Sequence, residues 1–142
     1  MYTVLFADDT DVVRNLLCAA LRHAGYSVLE AGDGYEGLLL SRHHKGPIDL
    51  LITDVVMPRM GGMELSRALK TYHPESNVLF ISGYPADMLE QNVSFLQKPF
   101  TPVTLISRVA EILSESEAGL KIQGASSSRY AARMAIMSET PI

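Results

Sequence analysis

Residues 2–9 read Tyr2-Thr3-Val4-Leu5-Phe6-Ala7-Asp8-Asp9, an apolar run that ends in two carboxylates. Residues 50–54 repeat this pattern, because the run Leu50-Leu51-Ile52-Thr53 ends in Asp54. A strand of this kind leads from a buried sheet into a polar site. Two such strands side by side would gather three like charges, which repel by roughly 4 kcal/mol for each close pair. The cluster needs protons or a cation, and oxygen ligands favour Mg2+.

Along the rest of the chain, strand-like runs alternate with amphipathic stretches as far as residue 116. The pattern predicts strands at about 2–7, 26–30, 49–53, 77–81 and 93–97. It predicts a helix capped by Asp11, a short helix that begins at Asp33 and Gly34, a helix over 63–72 and a last helix that begins at Thr101 and Pro102. A weak helix is predicted over 86–91. Leu16 and Tyr72 are among the helical positions predicted to face inward.

Alternating strands and helices predict a parallel sheet with helices on both faces. In such sheets the functional site lies at the carboxyl ends of the strands. Asp8, Asp9, Asp54 and Ser82 all fall at predicted strand ends, which makes this edge the candidate site.

The chain has 142 residues, of which 47% are hydrophobic, and a net charge of -4. The length predicts one domain. Because the periodicity fades after residue 116, this domain is predicted over residues 1–116, with residues 117–142 as a flexible linker or tail or, alternatively, a short helix. The negative charge argues against direct DNA binding, and no apolar run approaches the roughly 20 residues of a membrane span. The single Cys18 lies in a helical apolar pattern, which predicts a packed thiol and a cytoplasmic location.

Four segments, each at a strand end and in this order, resemble the receiver domain of bacterial two-component response regulators. They are Asp8-Asp9, the segment Asp54-Val55-Val56-Met57-Pro58-Arg59-Met60-Gly61-Gly62, then Ile81-Ser82-Gly83-Tyr84, and Lys98-Pro99-Phe100. The segments Ser82-Gly83-Tyr84 and Leu96-Gln97-Lys98-Pro99-Phe100 most resemble those of receivers attached to hybrid histidine kinases. The resemblance implies a flavodoxin-like three-layer fold, with strand order 2-1-3-4-5 and about five helices.

The resemblance also assigns roles to the acidic residues. Asp54 matches the phosphorylated residue of the family, and an acyl phosphate on a carboxylate is hydrolysable. Asp9, Asp54 and the Val56 carbonyl would ligate Mg2+, with Asp8 bound directly or through water. Pro58 would shape the loop that follows Asp54.

Lys98 would supply a second cation to the phosphoryl oxygens, since an ammonium group is a compact point charge. The resemblance implies a cis bond before Pro99 that aims this amine into the site. Ser82 would donate its hydroxyl to a phosphoryl oxygen, and Gly83 would let the backbone approach it. Phe95 occupies the position of the family's switching aromatic, which turns inward when Ser82 moves.

Two departures from the family pattern have consequences. Only ten residues separate Tyr84 from Phe95, so the fourth helix of a receiver would be short or irregular here. Val56 and Tyr84 flank the path of the hydrolytic water, and neither is a good proton acceptor. The sequence therefore predicts a long-lived phosphoryl group.

The implied partners are a histidine kinase or histidine phosphotransfer protein and a downstream protein target, with a homodimer as a further option.

One alternative function is that of a metal-dependent phosphatase with an aspartyl-phosphate intermediate, but Val55 and Val56 stand where its second acid belongs. Another is a flavin-binding electron carrier on the same fold. Asp8, Asp9 and Asp11 would repel the phosphate of its cofactor.

Overall fold

A computed structural model describes residues 1–83 and 93–118. Two compact units, Met1–Lys98 and Pro99–Ile142, are separated after Lys98. The first contains a five-stranded sheet with three described helices, and the second contains one described helix. Among the helices in these ranges, none has the length and apolar character required to cross a membrane.

The described elements follow the alternating order that the sequence predicts. The strands are β1 (Thr3–Ala7), β2 (Ser27–Ala31), β3 (Leu50–Asp54), β4 (Asn77–Ser82) and β5 (Ser94–Gln97). The helices are α1 (Asp11–His23), α2 (Gly34–His43), α3 (Gly62–Tyr72) and α4 (Pro102–Ala118). The helix predicted over 86–91 lies outside the described residues. The domain boundary at residue 116 stays a prediction, as does the tail.

The five strands are all parallel and are ordered β2-β1-β3-β4-β5, which confirms the predicted order. In this register Ala7 lies opposite Thr53, and Asp54 lies opposite Ile81. The carboxyl ends of the strands therefore share one edge, and the acidic residues that follow β1 and end β3 meet there.

Helices cover both faces of the sheet. On one face, Leu5 and Leu51 pack with Leu65 and Leu69 of α3. The β1–α1–β2 and β2–α2–β3 connections run in opposite directions across the sheet, so right-handed crossovers place α1 on the face opposite α2. The buried residues of α1 are Leu17, Cys18 and Leu21.

Helix α1 corrects two details of the sequence prediction. Asp11 is its first residue, and Thr10, whose side chain makes no capping hydrogen bond, is the N-cap. Leu16 is exposed, because it is turned by about 100° from the buried Leu17 around the helix axis. Tyr72 at the end of α3 is likewise exposed. Cys18 is a packed thiol as predicted, and burial, with a contribution from Glu30, raises its pKa to about 12.

In the second unit, Thr101 and Pro102 begin α4 as predicted. The Thr101 hydroxyl oxygen accepts a hydrogen bond from the Thr104 N–H at 3.0 Å. Pro102 is the first helical residue. An N–H at this position makes no intrahelical hydrogen bond, so proline, which has no N–H, is well tolerated there. The buried apolar residues of the helix are Leu105, Ile106, Val109, Ala110, Ile112 and Leu113.

Gly62 begins α3 directly against the end of β3. A Cβ atom there would lie 2.2 Å from the Asp54 carbonyl oxygen and 3.0 Å from the Thr53 side chain. We expect Gly62→Ala to lower the free energy of unfolding by about 2–3 kcal/mol, because the backbone must shift to admit the methyl group. Urea denaturation measures the difference.

Gly46→Ala is the matched control for Gly62→Ala. Gly46 is exposed, and a Cβ there would make an ordinary 3.5 Å contact with the His44 ring. If both substitutions destabilise the protein equally, the close approach of α3 to β3 does not explain the effect.

Candidate functional site

Three carboxylates meet at the carboxyl edge of the sheet. Asp8 and Asp9 directly follow β1, and Asp54 is the last residue of β3. One oxygen from each side chain lies within 4.8 Å of the other two. The structure therefore brings together the three acidic residues that the sequence singles out.

The three acids differ sharply in their exposure to water. Asp8 is 1% exposed, Asp54 is largely buried, and Asp9 is exposed. Burial raises the pKa of Asp8, while the Thr10 N–H and the Lys98 ammonium oppose that shift. The Thr10 N–H donates to Asp8 Oδ1 at 2.8 Å. Asp8 Oδ2 is buried without a hydrogen-bond partner among the described residues.

Lys98 supplies the positive charge that faces this cluster. Its Nζ lies 3.2 Å from Asp54 Oδ2 and 3.7 Å from Asp8 Oδ2. Its backbone N–H donates to the Ser82 carbonyl at 2.8 Å, which extends the β4–β5 pairing by one residue. The lysine is thus held by the sheet, and its side chain remains 30% exposed.

Ser82 and Phe95 lie on the two strands next to Asp54. Ser82 is the buried last residue of β4, one position after Ile81, which pairs with Asp54. Phe95 is half-buried on β5 and pairs with Phe80 of β4. These positions agree with the phosphate-contacting and switching roles predicted for the two residues, and both roles stay predictions.

The loop after Asp54 folds back onto the end of β3. The Val55 N–H donates to the Ile81 carbonyl at 3.1 Å, and the Gly62 N–H donates to the Val55 carbonyl at 2.9 Å. Val56 is 60% exposed, and its backbone N–H points to Asp54 Oδ1 at 3.4 Å. The Pro58 carbonyl accepts from the Met60 N–H at 2.7 Å, which closes a tight turn.

Sequence reasoning missed Arg14, which supports the site from α1. Its guanidinium Nη1 donates to the Asp8 carbonyl at 2.7 Å, and Nη2 pairs with Asp11 at 2.6 Å. Nε lies 3.7 Å from Glu30. The spacing of Asp11 and Arg14 indicates a helical ion pair, but the contact with the Asp8 backbone depends on the fold.

Comparison with known proteins places this site in a family. The chain matches the response regulator receiver domain over residues 4–110. It is 38% identical over 121 residues to the sensor kinase CckA of Brucella abortus (strain 2308), a match that covers 81% of this chain and 13% of CckA. It is 33% identical over 119 residues to the response regulator receiver protein CpdR of the same strain, covering 80% of this chain and 98% of CpdR.

A solved structure is also similar. The crystal structure of the receiver domain from the hybrid histidine kinase CckA aligns with a TM-score of 0.70 and 43% sequence identity. The alignment covers 78% of this chain and 98% of that one.

Fold and site together define a parallel α/β domain with an acidic cluster and a lysine at one sheet edge. The chain belongs to the response regulator receiver domain family, as the four sequence segments predict, and it acts in two-component signal transduction. Receiver domains generally bind Mg2+, are phosphorylated on an aspartate, and interact with histidine kinases or phosphotransfer proteins. The chain corresponds to a small part of CckA and to nearly all of CpdR.

Proposed function

We propose that Asp54 accepts a phosphoryl group from a phosphohistidine on a histidine kinase or a histidine phosphotransfer protein. The observation that carries this proposal is the convergence of Asp8, Asp9 and Asp54 within 4.8 Å, with the Lys98 ammonium 3.2 Å from Asp54. The ammonium lies closer to Asp54 than to Asp8, at 3.2 Å against 3.7 Å, and the Asp54 side chain keeps partial access to solvent.

The proposed transfer forms one bond and breaks another. An oxygen of the Asp54 carboxylate attacks phosphorus, the P–N bond to the donor histidine breaks, and its electron pair returns to the imidazole nitrogen, which takes up a proton. Water later attacks the same phosphorus, the P–O bond to Asp54 breaks, and inorganic phosphate leaves. This self-catalysed cycle describes a signalling domain more than a turnover enzyme.

The side chains present fit a divalent cation. Asp8 Oδ2 is buried without a hydrogen-bond partner among the described residues and lies beside the carboxylates of Asp9 and Asp54. We assign Mg2+ to these three residues and the Val56 carbonyl, because hard oxygen ligands favour it. When bound, Mg2+ stabilises the negative charge of the transferring group.

Lys98 and Ser82 have complementary roles in this proposal. The Lys98 ammonium pairs with a phosphoryl oxygen as a point charge, and the Ser82 hydroxyl donates to another. Gly83 and Pro99 shape the backbone beside them. Movement of Ser82 would admit the Phe95 ring, and packing alone would couple the two, because phenylalanine has no hydroxyl.

The proposed output is a changed surface that binds a downstream protein or a second copy of the chain, without contact to DNA or membrane. The cytoplasm is the proposed location, in agreement with the unpaired, buried Cys18. The alternative of a metal-dependent phosphatase has less support, because the exposed Val56 next to Asp54 offers no acid for the leaving group.

Intact-mass analysis tests the proposed function. Wild-type protein treated with acetyl phosphate and Mg2+ should gain about 80 Da, one phosphoryl group. Protein treated with acetyl phosphate and a chelator should keep its original mass. Reduction with borohydride, which converts an acyl phosphate to an alcohol, should leave homoserine at position 54. Phosphate found at another residue, or no adduct, would refute the assignment.

The lifetime of the phosphoryl group is a separate prediction. Val56 presents an apolar side chain next to Asp54, so it cannot orient the hydrolytic water. We expect the wild-type adduct to persist well beyond seconds, and Val56→Asn to shorten its half-life about tenfold. Loss of the adduct in time courses of intact mass measures this. Tyr84, the other predicted shield, lies outside the described residues.

Val12→Asn is the control for this substitution, since Val12 is an exposed valine on α1. It should leave the half-life unchanged. Loss of the wild-type adduct within seconds would contradict the predicted shielding.

A further inference from the structure

The loop between β3 and α3 contains a backbone conformation that its residue does not favour. Arg59 has a φ of 67°, and among the described residues other than glycine it alone has a positive φ. Side chains with a Cβ disfavour this left-handed region. The loop therefore carries a backbone cost at Arg59, and the contacts that hold Arg59 in place act against it.

Those interactions join the loop to the start of α2. Arg59 Nε and Nη2 both donate to Asp33 Oδ2, at 2.8 and 2.7 Å. The guanidinium carbon lies 4.9 Å from the centre of the Tyr35 ring, a cation–π contact. Asp33 is held in turn as the N-cap of α2, because its Oδ1 accepts from the Glu36 N–H at 2.8 Å.

Charge and packing both favour this contact. The Glu36 N–H, aided by Arg59, lowers the pKa of Asp33. Asp33 is therefore the negative partner that the arginine needs at neutral pH. The side chain of Asp33 is only 15% exposed, whereas that of Arg59 is 60% exposed. Gly34 adds a close backbone approach, since a Cβ there would lie 2.1 Å from the Met60 carbonyl oxygen.

The residues between Val56 and Arg59 are stiff. Met57 is buried, and the ring of Pro58 fixes its φ. We therefore expect a displacement of Arg59 to reach Val56. Val56 is also tied to Asp54 through its N–H.

We infer that Arg59 is a positioning residue, which holds the Val56 carbonyl ready for Mg2+ by fixing the loop to Asp33 and Tyr35. The inference depends on the proposed function, because it concerns the affinity of the proposed Mg2+ site. Nothing in it requires Arg59 to contact the metal or the phosphate. An exposed ion pair contributes little to global stability, so its effect should appear mainly in Mg2+ affinity.

Arg59→Gly is the most informative variant, because glycine adopts a positive φ without strain and so keeps the loop conformation accessible. We expect it to weaken Mg2+ binding, measured by isothermal titration calorimetry, at least about fivefold. The melting temperature without Mg2+ should change by less than about 4 °C. Hydrogen exchange of the amides in residues 55–61 should become faster in the variant.

Asp33→Asn completes the experiment, because asparagine still caps α2 but lacks the charge. It should weaken Mg2+ binding as Arg59→Gly does, and the double variant should bind no more weakly than either single variant. Arg59→Lys should give an intermediate affinity, since it keeps the charge and loses the paired donors.

The outcomes separate this inference from the proposed function. Wild-type protein that binds no Mg2+ would refute the proposed metal site. Wild-type protein that binds Mg2+ while Arg59→Gly binds it equally well would overturn the role of Arg59. Additive effects of Asp33→Asn and Arg59→Gly would overturn it too.

Discussion

Asp54→Asn is expected to abolish the phosphoryl adduct. The amide nitrogen is not nucleophilic, and the amide oxygen lacks the negative charge that attacks phosphorus. Asp8 and Asp9 should not substitute for Asp54. Asp8 is almost completely buried, and Asp9, which follows β1, has no ion pair with Lys98 among the described residues. Intact mass after treatment with acetyl phosphate and Mg2+ should show no gain of about 80 Da.

Loss of folding should not explain that result. Replacing Asp54 removes one of three like charges that lie within 4.8 Å of one another. The metal-free variant should therefore be at least as stable as the wild type. Glu75→Gln, which removes one carboxylate charge at an exposed residue that precedes β4, should retain the full adduct. Phosphorylation of Asp54→Asn at the wild-type level would show that another residue is the acceptor.

The fold was largely predictable because the strands are apolar runs and their order follows from general rules. Buried parallel strands such as β1 and β3 lack polar alternation, and right-handed crossovers restrict the topology to few solutions. The position of the site was predictable for a related reason, since the carboxyl ends of parallel strands meet at one edge of the sheet. Asp8, Asp9 and Asp54 can therefore be grouped from the sequence alone.

The differences among these acids were not predictable. Asp8 and Asp9 are neighbours of the same type, yet one is buried and the other exposed. Their environments depend on how the backbone turns after β1, where Asp8 accepts from Thr10 and its carbonyl accepts from Arg14. These contacts belong to the folded loop and leave no periodic pattern in the sequence.

Long-range polar contacts could not be predicted from the sequence either. Asp33 and Arg59 are 26 residues apart and lie in loops that only the packing of α2 against α3 brings together. Hydrophobic periodicity gives the face of a helix but not the partner of a particular charged side chain. Periodicity also does not tell how much of an apolar stripe is covered, and Leu16 of α1 is exposed although it belongs to that stripe.

Replacing Lys98 is expected to change phosphorylation and Mg2+ binding in opposite directions. Its ammonium lies near oxygens of both Asp54 and Asp8, which are also the proposed ligands of the cation. Lys98→Met keeps an unbranched side chain of similar length and removes the charge. The rate of adduct formation should fall about 100-fold or more, the usual effect of losing one preorganised group that stabilises the transition state.

Mg2+ affinity should instead rise about tenfold, the equivalent of about 1.4 kcal/mol, because the variant no longer has a positive charge that competes for the carboxylates. Calorimetric titration measures the affinity, and time-resolved intact mass measures the rate. Lys45→Met is the control, since Lys45 is an exposed lysine that precedes β3, whereas the site lies after that strand. Weaker Mg2+ binding in Lys98→Met would show that the lysine organises the carboxylates instead of competing with the metal. An unchanged rate would remove Lys98 from phosphoryl transfer.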